Sequence, residues 1–276
     1  MESLVTPEWL AAELGAADLR VLDASFFLPG SGRDGAAEFK ATHIPGAAFF
    51  DIDRIADLDD PAPHMLPDER SFAAEMAAIG VSERDRIVVY DNSPLHSAAR
   101  AWWMLRSFGA RQVALLDGGL AVWRAAGHPV ESGPAQPRQA RFSGALSRKQ
   151  LVAKPDVLGS GAVIVDARGP GRFAGAEPEP RPGVAAGHIP GSRNLPQDRL
   201  FETDGRWKRG DALRSAFAEA GVNLTKPMIT TCGSGVTAAV LLFGAHLLGK
   251  EDVRLYDGSW SEWGADPVTP KATGAA

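Results

Sequence analysis

The chain has 276 residues, of which 45% are hydrophobic and 23% are charged. This length favours two domains of ordinary size, and the composition is that of a globular protein and excludes the disordered class. The formal net charge of -5 is spread along the chain without a basic stripe. We therefore expect neither nucleic acid nor an anionic membrane as a partner.

The N-terminus carries no recognisable targeting signal. The opening MESLVTPEWLAAEL lacks a basic region followed by an apolar run, and no stretch of about 20 apolar residues occurs in the chain. We expect a soluble, unexported protein located in the cytoplasm. A single cysteine rules out an internal disulfide and a cysteine-based zinc site, and the six histidines show no metal-ligand spacing. We expect no metal and no cofactor.

The two halves of the chain repeat the same landmarks in the same order, which indicates a duplication. In the first half the landmarks are Asp23, the segment 43–46 (HIPG), Asp91, the segment 117–119 (DGG) and Trp123. In the second half they are Asp166, the segment 188–191 (HIPG), Cys232, the segment 257–259 (DGS) and Trp263.

Short apolar runs rich in β-branched residues predict buried strands, and longer apolar runs between them predict helices. In chain order the predicted strands are 20–23, 86–90, 112–116, 163–166, 227–231 and 252–256, and two predicted helices are 97–108 and 236–248. These helices end at Gly109 and Gly249, a residue type suited to the left-handed position after a helix. Alternating strands and helices predict an α/β fold of two tandem domains, each a mainly parallel β-sheet flanked by helices.

A segment without apolar periodicity separates the two halves. Residues 131–145 (ESGPAQPRQARFSGA) contain two prolines and are typical of an exposed linker. We expect an N-terminal domain over 1–133, a linker over 134–145 and a C-terminal domain over 146–276. One large sheet spanning both halves is the disfavoured alternative, because each half has a complete set of landmarks.

Cys232 stands where a predicted strand turns into a predicted helix. The loop 232–237 (CGSGVT) contains two glycines that let the backbone curl, and inward-pointing amides at a helix N-terminus form a small anion nest. Such a nest stabilises a thiolate and equally the terminal sulfur of a persulfide. The alternative is a buried packing cysteine, which would not need a polar, glycine-rich loop. The matching loop of the first half has Asp91 instead, so we expect that domain to be non-catalytic.

These features resemble the two-domain rhodanese family, and within it the 3-mercaptopyruvate sulfurtransferase branch. The resemblance rests on the paired HIPG segments, on Asp91 in place of cysteine and on the loop CGSGVTA, and it runs from Leu22 to Trp263. It implies a transferase that moves sulfane sulfur from 3-mercaptopyruvate through a persulfide on Cys232 and releases pyruvate. The implied acceptor is a thiol, such as thioredoxin or a small thiol, or cyanide. The HIPG histidines are implied to be structural.

The resemblance also implies a substrate site. The family's GRF and EPEPR segments stand here at 171–173 and 177–181, so Arg172 and Arg181 are implied to bind the carboxylate and ketone of the donor. Planar guanidinium groups suit an α-keto acid. The alternative for these arginines is a solvated loop charge. The other implied substrate-binding residues are Gly233, Gly235, Val236 and Thr237.

A proton relay is implied as well. By resemblance it consists of Asp53, His64 and Ser234, with the aspartate orienting the imidazole and the imidazole moving protons between thiol, hydroxyl and enolate. This would place residues of the first half over the Cys232 loop. The alternative is a surface histidine in a proline-bounded loop.

Three other functions compete with this interpretation. Thiosulfate as donor is disfavoured because relatives that use it carry cationic residues just after the cysteine, whereas Gly233 and Ser234 are neutral. A cysteine phosphatase is disfavoured because its loop closes with an arginine six residues after the cysteine, and position 238 is alanine. A non-catalytic interaction module is disfavoured by the intact Cys232 loop and both arginines.

Overall fold

The computed structural model describes residues 1–275, which form two compact units. The first unit comprises residues 1–56, 66–147 and 201–207, and the second comprises residues 57–65, 148–200 and those from Lys208 onward. Each half of the sequence thus contributes one short segment, 57–65 or 201–207, to the unit formed by the other half. The predicted boundaries divide the chain into continuous pieces and so do not include this exchange; they stay a prediction.

The first unit is a five-stranded parallel sheet with strand order β1-β5-β4-β2-β3 and helices around it. Its strands are β1 (Leu4–Val5), β2 (Leu19–Asp23), β3 (Ala48–Phe49), β4 (Arg86–Tyr90) and β5 (Gln112–Leu116). Its helices are α1 (Pro7–Glu13), α2 (Gly35–Ala41), α3 (Glu69–Ala78), α4 (Ala98–Ser107) and α5 (Gly119–Ala125).

The second unit repeats this topology in the strand order β6-β10-β9-β7-β8. Its strands are β6 (Leu151–Val152), β7 (Val163–Asp166), β8 (Arg193–Asn194), β9 (Met228–Thr231) and β10 (Val253–Tyr256). Its helices are α6 (Pro170–Ala174), α7 (Gly210–Glu219), α8 (Ala238–Leu247) and α9 (Ser259–Trp263). The predicted fold of two tandem α/β domains with parallel sheets is confirmed.

The helices that follow the two central strands end as the sequence predicts. Gly109 and Gly249 adopt φ values of 96° and 78°, in the left-handed region that glycine enters without steric cost. Residues 238–245 of α8 are buried all round the helix. A helix buried on every side fixes the position of the loop that precedes it.

The two HIPG histidines make the same contacts in each unit. His43 Nδ1 lies 2.7 Å from the Phe39 carbonyl oxygen and its ring stacks on the Phe39 ring. His188 Nδ1 lies 2.8 Å from the Phe173 carbonyl oxygen and stacks on the Phe173 ring. Both imidazoles tie the HIPG turn to the preceding helix, in agreement with the implied structural role.

Residues 131–145 contain neither helix nor strand and are mostly exposed, yet they are attached to the first unit. Phe142 is buried edge-on against Phe72, and Arg138 Nη2 lies 2.6 Å from Asp85 Oδ1. These contacts explain why a proline-containing segment holds one course along the surface. Among residues 1–275, no helix has the length and apolar character needed to cross a bilayer.

Candidate active site

Cys232 directly follows β9, the central strand of the second sheet. In parallel α/β sheets, ligands bind outside the carboxyl ends of the strands, which is where this residue lies. The loop 232–237 joins β9 to α8, and Gly235 at φ 79° lets the chain curl there. Cys232 itself is 2% exposed, so its sulfur is shielded from bulk solvent.

The start of α9 holds the Cys232 loop in place. Ser259 Oγ accepts a hydrogen bond from the Cys232 amide at 3.1 Å and donates to the Tyr256 carbonyl at 2.8 Å. The Trp260 amide donates to the Cys232 carbonyl at 3.0 Å, and Ser261 Oγ donates to the Gly233 carbonyl at 2.6 Å. The sequence interpretation did not include these serines, although they stand in the repeated segment that begins at Asp257.

His64 contacts the Cys232 loop within the second unit. The segment 57–65 belongs to this unit, and His64 Nδ1 lies 2.8 Å from Ser234 Oγ. Both residues are buried, and His64 has a φ of 63°, which is unusual for a residue with a side chain. The contact has the length of a hydrogen bond through which a proton could pass. Two of the three predicted relay residues are thus in contact.

Asp53, the third predicted relay residue, belongs to the first unit. It lies exposed in a turn after β3, and its amide donates to Asp51 Oδ1 at 3.1 Å. The same turn borders a cavity of the first unit that is also lined by Ser25, Phe27 and Arg33.

Arg172 reaches the Cys232 loop from α6. A Cβ atom placed on Gly233 would lie 3.1 Å from Arg172 Nη2, which is closer than most real contacts of such an atom. Arg172 Nη2 also donates to Glu179 Oε2 at 2.5 Å. Glycine at position 233 therefore leaves room for the guanidinium beside the loop. Glu179 is a further residue that the sequence interpretation missed, although it stands inside the EPEPR segment.

The other predicted substrate-binding residues take different positions. Arg181 is half-buried in the loop after Pro180, and Val236 is buried. Thr237 is the residue before α8, and its side chain does not cap that helix. Gly233 and Gly235 supply space and curvature rather than side-chain contacts.

The equivalent loop of the first unit follows β4, the central strand of that sheet. Asp91 begins it, with Oδ1 accepting from the Ser93 amide at 3.0 Å and Oδ2 from the Ala98 amide at 2.7 Å. Ala98 is the first residue of α4, so the carboxylate lies at a helix N-terminus. Burial raises the pKa of Asp91 to about 7, although both amide hydrogen bonds act in the opposite direction.

The family model described as "Rhodanese-like domain" matches residues 6–126 and 148–266. These two matches cover most of the chain, one in each half. The chain therefore belongs to the rhodanese-like family, and the resemblance inferred from the sequence is confirmed.

Individual members of the family and one solved structure are similar to this chain over almost its whole length. A mouse protein named 3-mercaptopyruvate sulfurtransferase is 45% identical over 95% of this chain and 91% of its own length. A Cricetulus griseus protein named thiosulfate sulfurtransferase is 43% identical over 95% of this chain and 91% of its own length. The crystal structure of an Escherichia coli 3-mercaptopyruvate sulfotransferase superposes with a TM-score of 0.86 at 40% identity, covering 95% of this chain and 100% of that one.

Proposed function

We propose that this protein is a sulfurtransferase that takes a sulfur atom from 3-mercaptopyruvate and passes it to a thiol or to cyanide. The observation that carries the proposal is the approach of the Arg172 guanidinium to Gly233, next to the one cysteine of the chain. A cation beside a neutral loop suits a donor that has a single carboxylate. The relatives named 3-mercaptopyruvate sulfurtransferase support the same choice.

In the first half-reaction the Cys232 thiolate attacks the sulfur of 3-mercaptopyruvate. A sulfur–sulfur bond forms, the carbon–sulfur bond breaks, and its electron pair leaves with the carbon fragment as the enolate of pyruvate. The product on the protein is the persulfide of Cys232. The enolate then takes up a proton and departs as pyruvate. In this proposal Arg172 and Arg181 bind the carboxylate and stabilise the negative charge that develops on the ketone oxygen.

Proton transfer falls to the predicted relay. In this proposal Ser234 and His64 carry protons between the donor thiol and the enolate, and Asp53 orients the imidazole. The 2.8 Å contact between His64 Nδ1 and Ser234 Oγ supports the first part of the relay. The residues Gly233, Gly235, Val236 and Thr237 form the wall of the donor site.

In the second half-reaction a thiolate acceptor attacks the outer sulfur of the persulfide. A thiolate acceptor leaves as its own persulfide, whereas cyanide takes up the outer sulfur and leaves as thiocyanate. In both cases the Cys232 sulfur is restored, so atoms and charge balance without a metal or an organic cofactor. Thioredoxin, a small thiol and cyanide are the acceptors we propose. A cytoplasmic location fits this cycle, because a reducing compartment keeps a lone thiol free.

Thiosulfate is the second candidate donor, because the Cricetulus griseus relative named thiosulfate sulfurtransferase is 43% identical to this chain. Thiosulfate is a dianion, and Gly233 and Ser234 offer it no charge next to Cys232. We therefore expect it to be the poorer donor.

A side-by-side assay tests the choice of donor. The ratio kcat/KM is measured for 3-mercaptopyruvate and for thiosulfate with one common acceptor, together with the mass of the donor-treated protein. The expected result is a higher kcat/KM for 3-mercaptopyruvate and a gain of about 32 Da, the mass of one sulfur, on Cys232. A preference for thiosulfate would replace the proposed donor, and the absence of any mass gain would remove the persulfide mechanism.

A further inference from the structure

Glu179 lies between two arginines of the second unit. Its carboxylate accepts hydrogen bonds from Arg168 Nη1 at 2.7 Å and from Arg172 Nη2 at 2.5 Å, and its side chain is only 4% exposed. Burying an ion without partners is strongly unfavourable, so a carboxylate in this position depends on both guanidinium groups. Glu179 is therefore a fixed bridge rather than a mobile surface charge.

Arg168 is anchored independently of that bridge. Its Nη2 donates to Asp166 Oδ2 at 2.7 Å and to the Gly187 carbonyl at 2.8 Å. Its guanidinium carbon lies 4.8 Å from the centre of the Trp260 ring, and its side chain is 1% exposed. A contact with the face of an aromatic ring and a pair with a carboxylate hold an arginine in one orientation. Arg168 is thus the rigid end of the network.

Arg172 is the end that faces the donor site. Glu179 contacts its Nε and Nη2 atoms, at 3.4 Å and 2.5 Å. The terminal nitrogens lie nearest Gly233, where an added Cβ would be 3.1 Å from Nη2 and 3.9 Å from Nη1. The Arg172 side chain is 21% exposed, so it is within reach of a ligand. Its helix α6 is only five residues long, and a long side chain on so short a helix needs another support.

We propose that Glu179 is a positioning residue for the donor: it transfers the fixed orientation of Arg168 to Arg172 and holds the Arg172 guanidinium against Gly233. The inference rests on the proposed function, in which Arg172 binds the carboxylate of 3-mercaptopyruvate. In electrostatic terms alone, a carboxylate here would weaken the binding of an anion. Replacing Glu179 therefore separates a geometric role from a charge role, because the two predict KM changes of opposite sign.

The first test compares Glu179→Gln with Glu219→Gln. Glu219 also pairs with an arginine of the second unit, Arg199, but both side chains are more than half exposed, so it is the matched control. We expect Glu179→Gln to raise KM for 3-mercaptopyruvate by about tenfold with a smaller decrease in kcat, as for a lost charge-assisted contact that acts mainly on binding. The control is expected to match the wild type. An unchanged or lower KM in Glu179→Gln would overturn the positioning role.

Glu179→Asp keeps the charge and shortens the side chain by one methylene, so it tests geometry even if the glutamine variant folds poorly. A positioning role predicts a raised KM in this variant too, and the melting temperature measured beside it shows that the protein is still folded at the assay temperature. A KM equal to that of the wild type would show that the charge alone matters and would overturn the proposal.

A double-mutant cycle with Arg172→Ala completes the test. If Glu179 acts through Arg172, Glu179→Gln adds no further rise in KM when Arg172 is already absent. Additive effects would overturn the proposal. The wild-type assay separates this outcome from failure of the proposed function: inactivity of the wild type with 3-mercaptopyruvate removes the function itself, whereas an active wild type with an unaffected Glu179→Gln variant removes only the positioning role.

Discussion

The Asp91 loop and the Cys232 loop occupy the same place in two sheets of the same topology, but their first residues do different things. Asp91 uses both carboxylate oxygens to accept backbone amides of its own loop and of α4. Cys232 has no carboxylate to fill its loop, and the approach of Arg172 to Gly233 adds a cation there. A strand-to-helix turn that favours negative charge can thus be filled by the protein itself or kept for a reacting anion.

The two loops indicate how the halves of a duplicated chain can take different roles, one structural and one reactive. A carboxyl group attached to the chain keeps the amides of the turn paired with a side chain and makes the turn structural. With a cysteine at this position, the charge in the same turn depends on whether the sulfur is a thiol, a thiolate or a persulfide. We expect substitutions in the two loops to have different consequences, on stability in the first unit and on turnover in the second.

The largest expected effect is the loss of turnover in Cys232→Ser. The hydroxyl of serine is not ionised at neutral pH, so it cannot replace the thiolate as nucleophile. Activity with either donor should fall to background, and donor treatment should give no mass gain. Asp91→Ser is the matched control in the other loop. It should retain turnover and lose only stability. Substantial activity in Cys232→Ser would mean that the two loops do not differ in the way proposed.

The next effect concerns the cations of the second unit. We expect Arg172→Ala or Arg181→Ala to lower kcat/KM for 3-mercaptopyruvate. The expected loss of transition-state stabilisation is about 2–5 kcal/mol, as when one partner of a charge-assisted contact is removed. Arg199→Ala, which removes an exposed arginine of the same unit, is the control and should have little effect. Wild-type kinetics in either variant would show that this arginine is a surface charge and not part of a donor site.

The charge of the Cys232 loop is expected to affect the choice of donor. Gly233→Arg with Ser234→Lys adds cations to the Cys232 loop, and we expect the ratio of thiosulfate to 3-mercaptopyruvate turnover to rise about tenfold, equivalent to roughly 1.4 kcal/mol. Turnover of 3-mercaptopyruvate should itself decrease, because the new side chain at position 233 displaces Arg172. An unchanged ratio would show that loop charge does not set donor preference.

His64 tests the relay separately from loop charge. His64→Ala should lower the rate with 3-mercaptopyruvate without a comparable effect on thiosulfate, because sulfite leaves as a stable anion and needs no proton. His64 has a φ of 63°, which alanine adopts at a cost, so His64→Asn is the second variant. Equal rates for wild type and both variants with both donors would remove the relay.

The sequence predicted those features that depend on local pattern and on the repeat. The glycines after α4 and α8, the six central strands and the position of Cys232 at a strand end all follow from residues adjacent in the chain. The role of Glu179 could not be predicted in this way, because it depends on a buried carboxylate meeting two arginines at once.

The exchange of the segments 57–65 and 201–207 between the units could not be predicted from the sequence pattern either. The segment 201–207 belongs to the first unit because the Trp207 amide donates to Asp117 Oδ1 and Phe201 stacks on His96. Such contacts join residues far apart in sequence, and neither hydrophobic periodicity nor turn signals record them. The contact of His64 with Ser234 came only from the family resemblance.

The smallest expected effect on turnover lies in the first unit, where the change concerns stability instead. The pKa of Asp91 is raised to about 7 from its ordinary value of 3.8, so between these two pH values the folded protein holds a proton that the unfolded chain has released. Stability should therefore fall as the pH rises from about 4 to about 7, and stay constant above that window, by the linkage between proton binding and folding.

Asp91→Asn removes this titration. Asparagine can accept only one of the two amide hydrogen bonds, so the variant loses the stability that the second bond contributes. Because asparagine does not titrate, this loss does not itself change between pH 5 and pH 7.5. The carboxylate is isolated by comparing the change in unfolding free energy between pH 5 and pH 7.5 in the two proteins, measured by urea denaturation. We expect the wild type to lose about 2–3 kcal/mol more than the variant over this range. Turnover should be retained throughout, since Asp91 has no place in the proposed reaction.

Equal losses of stability in wild type and variant would show that Asp91 is ionised across the whole pH range. Its carboxylate would then fill the turn as a permanent anion, and the two loops would be closer in electrostatics than their residues suggest.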